Sequence, residues 1–179
     1  RRPEDLWGLF ELRPHIYHRS FFDDEGYYES GFTHVDNHWE WRNGLEIHTG
    51  INFTHEGVLE PFEINEGSYV LAGDYDHAES QLVFMSDRRK PLYFSVTSKI
   101  GGFYGGDRNA VETKVNYRWG DAFTSALTWS HNDIELPAFA AVGDAPASVG
   151  DFKVNVARLR MSYSFTPKIL LQALVQYDD

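Results

Sequence analysis

From Ala157 onward the chain alternates without a break, with apolar Leu159, Met161, Tyr163 and Phe165 interleaved with polar Arg158, Arg160, Ser162 and Ser164. After Thr166-Pro167-Lys168 the apolar series resumes as Ile169, Leu171, Ala173, Val175 and Tyr177. A period of two sends successive side chains to opposite faces of a strand, so residues 152–177 predict two β-strands joined by a short turn. Two solutions satisfy this pattern. Either the apolar face is a core and the arginines face water, or the arginines line a wet interior and the apolar face points outward.

The same alternation recurs along the chain. A strand is predicted over 10–19, despite Pro14, which suits an edge better than a sheet centre. FFDDEG at 21–26 is a turn. Residues 27–41 form a long strand with Val35, Trp39 and Trp41 on one side and His34, Asp36, His38 and Glu40 on the other. Arg42-Asn43-Gly44 then predicts a hairpin. A two-residue loop would set Trp41 against Glu46; a three-residue loop with a left-handed Gly44 pairs Trp41 with Leu45, Trp39 with Ile47 and His38 with His48. The latter keeps each face uniform and is the predicted register.

Further strands are expected at 45–53, 75–84, 92–104, 111–119 and from 123. The acidic stretch 55–74, the glycine-rich 105–109 and the stretch 131–151 read as connections. Gly120-Asp121-Ala122 is a second three-residue turn, pairing Trp119 with Phe123. Connections thus alternate between short turns (42–44, 87–91, 120–122, 166–168) and mostly longer loops. The aromatics Trp39, Trp41, Trp119, Phe123, Tyr163 and Phe165 gather toward the short-turn end of the apolar face.

Long strands, short turns at one end, longer loops at the other and an aromatic rim together predict an all-β, antiparallel up-and-down transmembrane barrel of the bacterial outer membrane. Lipid offers no hydrogen-bond partners, so a spanning sheet must satisfy its backbone strand to strand and close on itself. The chain is read as one barrel domain over 1–179, about eight or nine strands of a larger barrel. RRPED (1–5) forms a linker-like start, and the barrel continues beyond residue 179. The rival is a soluble β-sandwich interaction module with the apolar face as its core. A net charge of −11 argues against a nucleic-acid partner, and zero cysteines exclude disulfides and thiolate metal sites.

The runs GLEIHTGINFTHEGVLEPFEI, AGDYDHAESQLVFMSDRRKP, GGFYGGDRN, WSHNDIELP and ARLRMSYSFTPKILLQALVQYDD resemble the C-terminal barrel domain of an uncharacterised bacterial family, a domain of unknown function. Longer members carry an N-terminal domain resembling family-nine carbohydrate-binding modules. The resemblance covers roughly residues 40–179 and departs at AFAAVGDAPASVG, where the family has a shorter loop. It implies an outer-membrane barrel and no catalytic residues. The partners it implies are outer-membrane lipid, with lipopolysaccharide or a larger membrane complex, and a saccharide held by an upstream domain. A surface protein that binds or processes carbohydrate, anchored by this barrel, is the alternative function.

The polar face supplies the candidate sites. Glu46, His48, Lys99, Glu112, Lys114, Arg118, Arg158, Arg160, Gln172 and Gln176 are the expected lumen lining. Within it Arg158, Arg160, Lys99, Lys114 and Arg118 form a basic ladder facing Glu112 and Glu46, of the kind that selects anionic solutes. His34, Asp36, His38 and His48 have the donor types for a divalent cation, with Glu40 and Glu46 beside them, set against a plain hydrated wall of mixed polar residues. Glu56, Glu60, Glu63 and Glu66 offer oxygen ligands to calcium, without the spacing of a calcium loop. No resident cofactor is otherwise expected. Ser130-His131 with Asp133 lacks a nucleophile-elbow context, and the expected role is non-enzymatic: anchor, pore or surface docking element.

Overall fold

The computed structural model describes residues 7–143 and 145–179; the RRPED stretch lies outside them. The described residues form eleven strands: β1 (Leu9–Phe22), β2 (Tyr28–Trp41), β3 (Glu46–Val58), β4 (Phe62–Asn65), β5 (Ser68–Val70), β6 (Gly73–Met85), β7 (Leu92–Phe103), β8 (Gly106–Trp119), β9 (Phe123–Glu135), β10 (Phe152–Thr166) and β11 (Ile169–Asp178). Nine of them make one antiparallel meander in the order β1-β2-β3-β6-β7-β8-β9-β10-β11, and β4 and β5 form a separate hairpin. β1 and β11 are the two edges and do not pair with each other, so among the described residues the sheet is open.

The turn at 42–44 adopts the predicted register: Trp39 pairs with Ile47, His38 with His48 and Glu40 with Glu46. The Trp41 N–H donates to the Leu45 carbonyl at 2.8 Å and the Gly44 N–H to the Trp41 carbonyl at 2.9 Å, with Gly44 at φ +85°. A Cβ there would meet Asp87 Cγ at 2.5 Å and Arg89 Nη2 at 2.8 Å, because the neighbouring turn at 86–91 packs against this one. Gly44→Ala is therefore expected to cost about 1–2 kcal/mol, read as a shift in the denaturant midpoint. In that neighbouring turn the Arg89 side chain and backbone N–H hold the Asp87 carboxyl below its usual value. Its stabilisation is present at neutral pH and fades as pH falls through that lowered value. Trp119 pairs with Phe123 as predicted.

Four sequence expectations need correction. β1 runs three residues past Arg19, with Pro14 in an edge strand that leaves its missing N–H without consequence. The acidic 55–74 stretch is not a bare connection: β3 extends to Val58, and the β4–β5 hairpin follows. The glycine-rich 105–109 segment belongs mostly to β8; only Tyr104 (φ 46°) and Gly105 (φ 79°) turn, a two-residue hairpin of the type that two positive φ values permit. Finally, β9 runs on to Glu135, well into the stretch read as a connection from 131.

Side chains on one face follow continuous rows across the sheet, because directly opposed residues of an antiparallel pair project to the same side. One row reads Glu40, Glu46, Met85, Ser95, Lys114, Thr128, Arg158, Gln176. Across β2, β3, β6 and β7 the face carrying it is the more sheltered one. Asp36, Asn52 and Glu79 there retain only 5%, 2% and 4% of their accessible surface, whereas Ile16, Ile51, Leu82 and Ile100 on the opposite face keep 70%, 47%, 51% and 54%. Across β2, β3, β6 and β7 the sheet thus shelters polar residues and exposes apolar ones, whereas Lys114, Arg118, Arg158 and Arg160 of the same polar face on β8 and β10 are exposed. A small apolar cluster lies at the long-loop end, where Val70, Ile134 and Leu136 pack with Val58, Ile64, Tyr75, Phe103 and Phe152. There the β4–β5 hairpin meets the 136–151 loop through a Tyr69 N–H to Ser148 Oγ bond of 2.9 Å and a Val149 N–H to Gly67 carbonyl bond of 3.0 Å.

Candidate functional site

The strand registers put all ten residues expected to line the interior on the polar face. They do not make one ladder. Lys114 Nζ pairs with Glu112 at 2.7 Å on its own strand, and Arg158 donates to Gln176 at 3.2 Å. Gln172 donates to Ser162 at 3.3 Å. Arg118 and Arg160 share a hollow at the short-turn end with Arg88 and Lys90, whose lining includes no carboxylate. Glu46 faces none of the predicted cations: Arg88 reaches it at 3.1 Å and Arg13 at 3.4 Å, and Arg13 also reaches Glu40 at 3.4 Å.

The six aromatics expected at the rim lie on the opposite face. Trp119, Tyr163 and Phe165 are exposed there, while Trp39, Trp41 and Phe123 are half-buried. Trp129 occupies the same face in mid-strand, opposite Thr113 and Ala157.

One largely buried ion pair was not anticipated. Glu79 on β6 and Arg108 on β8 are two strands apart, and the residue between them in the row is Gly101. Over that glycine Arg108 Nη2 comes within 2.6 Å and Nε within 2.8 Å of Glu79 Oε1. Phe103 supports the guanidinium with its ring 4.5 Å away. A Cβ at Gly101 would run into the Ala78 carbonyl and sit 2.6 Å from the Glu79 Cα, so the gap is a built feature of the wall.

Four histidines converge on Asp36 at the β1–β2–β3 end. His34 Nε2 is 3.2 Å and His38 Nε2 3.4 Å from Asp36 Oδ2. His15, opposite Asp36 on β1, has its ring 5.2 Å from that of His34 and 4.9 Å from that of His38. His48 stacks on His38 at 3.5 Å with the planes 2° apart, and its Nε2 is 3.2 Å from Glu46 Oε2. Gly50 lies across from Asp36, where a Cβ would approach the Asp36 Cβ and Cγ to 3.2 Å. Behind the cluster, His34 Nδ1 is 2.6 Å from Asn52 Oδ1, and Asn52 Nδ2 donates to Gln81 Oε1 at 3.3 Å. Asp36 Oδ1 is buried without a hydrogen-bond partner.

Two sets of ligand atoms lie close enough to share an ion among the described residues: His15, His34 and Asp36, and Asp36, His38 and His48. The second set was legible from the hairpin register. His15 was not, and its signal was only its position in the first strand. Glu56, Glu60, Glu63 and Glu66 belong to neither set; Glu63 instead accepts the Gly67 N–H at 2.8 Å. Comparison with protein-family models, with curated proteins and with solved structures finds no match for this chain.

Proposed function

We propose that this sheet is an arc of an outer-membrane β-barrel, a non-enzymatic wall that anchors the protein at the cell surface and lines a polar interior. The reading rests on the inverted burial of the two faces across β2, β3, β6 and β7. Apolar surface left in water costs about 25 cal/mol per Å². A sheet that shelters Asp36, Asn52 and Glu79 while exposing Ile16, Ile51, Leu82 and Ile100 is stable only against something apolar, and no layer of described residues covers that face. A soluble sandwich needs such a layer. Eight of the nine large-sheet strands have 12–15 residues, beyond the roughly 9–11 that a tilted spanning strand needs. In lipid the open edges at β1 and β11 would need partners, supplied by further strands or by another copy.

In this reading lipid contacts the Leu-Ile-Val face and the aromatics toward the short-turn end sit at the periplasmic interface. The two longer connections and the cluster under them face outward. The full-length protein, expressed in a Gram-negative cell, should sediment with the outer membrane and migrate faster on a detergent gel before boiling than after. Recovery in the cytosol with no heat-dependent mobility would overturn the reading in favour of a soluble module.

A further inference from the structure

We propose that His15, His34 and Asp36 form a binding site for a late first-row divalent cation of the zinc type, with Asn52 as the residue that positions His34. The argument begins at Asn52. Its Nδ2 donates to Gln81, which turns its Oδ1 toward His34, so His34 Nδ1 carries the proton of that 2.6 Å contact. In the neutral ring Nε2 is then a bare lone pair, and it lies 3.2 Å from a carboxylate oxygen. Two electron-rich atoms at that distance require a positive charge between or beside them. An imidazole aimed by a hydrogen bond from its other nitrogen is the usual arrangement of a metal-ligating histidine.

Spacing agrees with that requirement. Bonds of about 2.0–2.2 Å in a tetrahedral site put neighbouring ligand atoms about 3.3–3.5 Å apart, close to the 3.2 Å seen between His34 Nε2 and Asp36 Oδ2. Asp36 adds a second observation. Its side chain is 1% exposed, yet Oδ1 has no partner, and a buried carboxylate oxygen left unpaired is costly unless a cation offsets it.

Ring geometry selects this set over Asp36, His38 and His48. Those two imidazoles stack face to face at 3.5 Å, so their lone pairs lie in two parallel planes and cannot both point at one ion. The His15 and His34 rings are inclined at 50°, which lets both nitrogens approach a common point beside Asp36. Two imidazoles and one carboxylate suit zinc, cobalt, nickel or copper and disfavour calcium and magnesium, which take oxygen ligands. Exposed His15, on the sheet edge, leaves the site open to solvent. None of this depends on whether the opposite face meets lipid.

The test is a titration of the folded full-length protein with Co²⁺, followed by its visible absorption and by competition with Zn²⁺ and with excess Ca²⁺. One saturable Co²⁺ per chain is expected, displaced by Zn²⁺ and not by Ca²⁺. Asp36→Asn and His34→Gln should abolish the spectrum. Asn52→Ala should weaken binding by about 10–100-fold. His38→Gln should change it little, as should His55→Gln on a distant part of β3. Should the buried substitutions unfold the chain, His15→Gln on the exposed edge keeps the question open to a clear answer, since it must also abolish saturable binding. Absence of saturable binding means that a proton alone bridges His34 and Asp36 and overturns the proposal. Binding that survives Asp36→Asn and His15→Gln assigns the metal to other histidines and overturns it equally.

Discussion

Replacing Arg108 by methionine should destabilise the sheet by about 3–5 kcal/mol, the largest effect expected of any single substitution outside a glycine. Glu79, with 5% of its side chain exposed, would lose both guanidinium contacts on Oε1. Leaving such a carboxylate uncompensated costs more than the pair contributes when intact. The double variant Arg108→Met with Glu79→Leu should recover most of the loss, because the pair is then replaced by apolar atoms of similar volume. Both are read from the denaturant midpoint of the full-length protein, with the slope unchanged. A single variant as stable as the parent would mean that water reaches Glu79.

The second large effect is conditional on what surrounds the apolar face. Leu82→Arg, on the interior strand β6 with half its surface exposed, should cost about 2–4 kcal/mol if that face meets the bilayer interior. In water the same exchange stays within about 0.5 kcal/mol. Folding yield in lipid vesicles, followed by the unheated gel band, separates the two outcomes with one variant. A neutral result would remove lipid from that face.

Much of the sheet was legible because the alternation is a direct image of the strand. Gly44 and Gly120 each allowed only one register that kept both faces uniform, and that register carried His38 to His48 without further information. The misses have local causes. Pro14 interrupts the pattern in β1, so His15 was not read as the partner of Asp36. Gly105 and Gly106 made the start of β8 look like loop, which hid Arg108. Glu79 stood in plain alternation, but its partner lies two strands away across a residue with no side chain, and spacing along the chain does not encode that. Which face is sheltered was undecidable strand by strand, since period two is the same for a wet interior and a wet exterior. Residue burial in the assembled sheet supplies what the alternation does not.

The row that joins Glu40 to Gln176 also has a slope. It crosses β2 one residue before the strand's short-turn end at Trp41, crosses β8 at Lys114, five residues before Trp119, and crosses β10 at Arg158, eight residues before Thr166. Residues that are hydrogen-bonded neighbours are therefore not at one height. Such stagger accompanies tilted strands and is what closure of a sheet into a cylinder demands. Its electrostatic consequence is that the charges of one row are spread along an incline: Glu46 lies nearest the short-turn end, Lys114 farther from it and Arg158 farther still. Were the sheet closed as proposed, acid and base would follow one another along its axis, as on a spiral stair, and would not form a single charged ring.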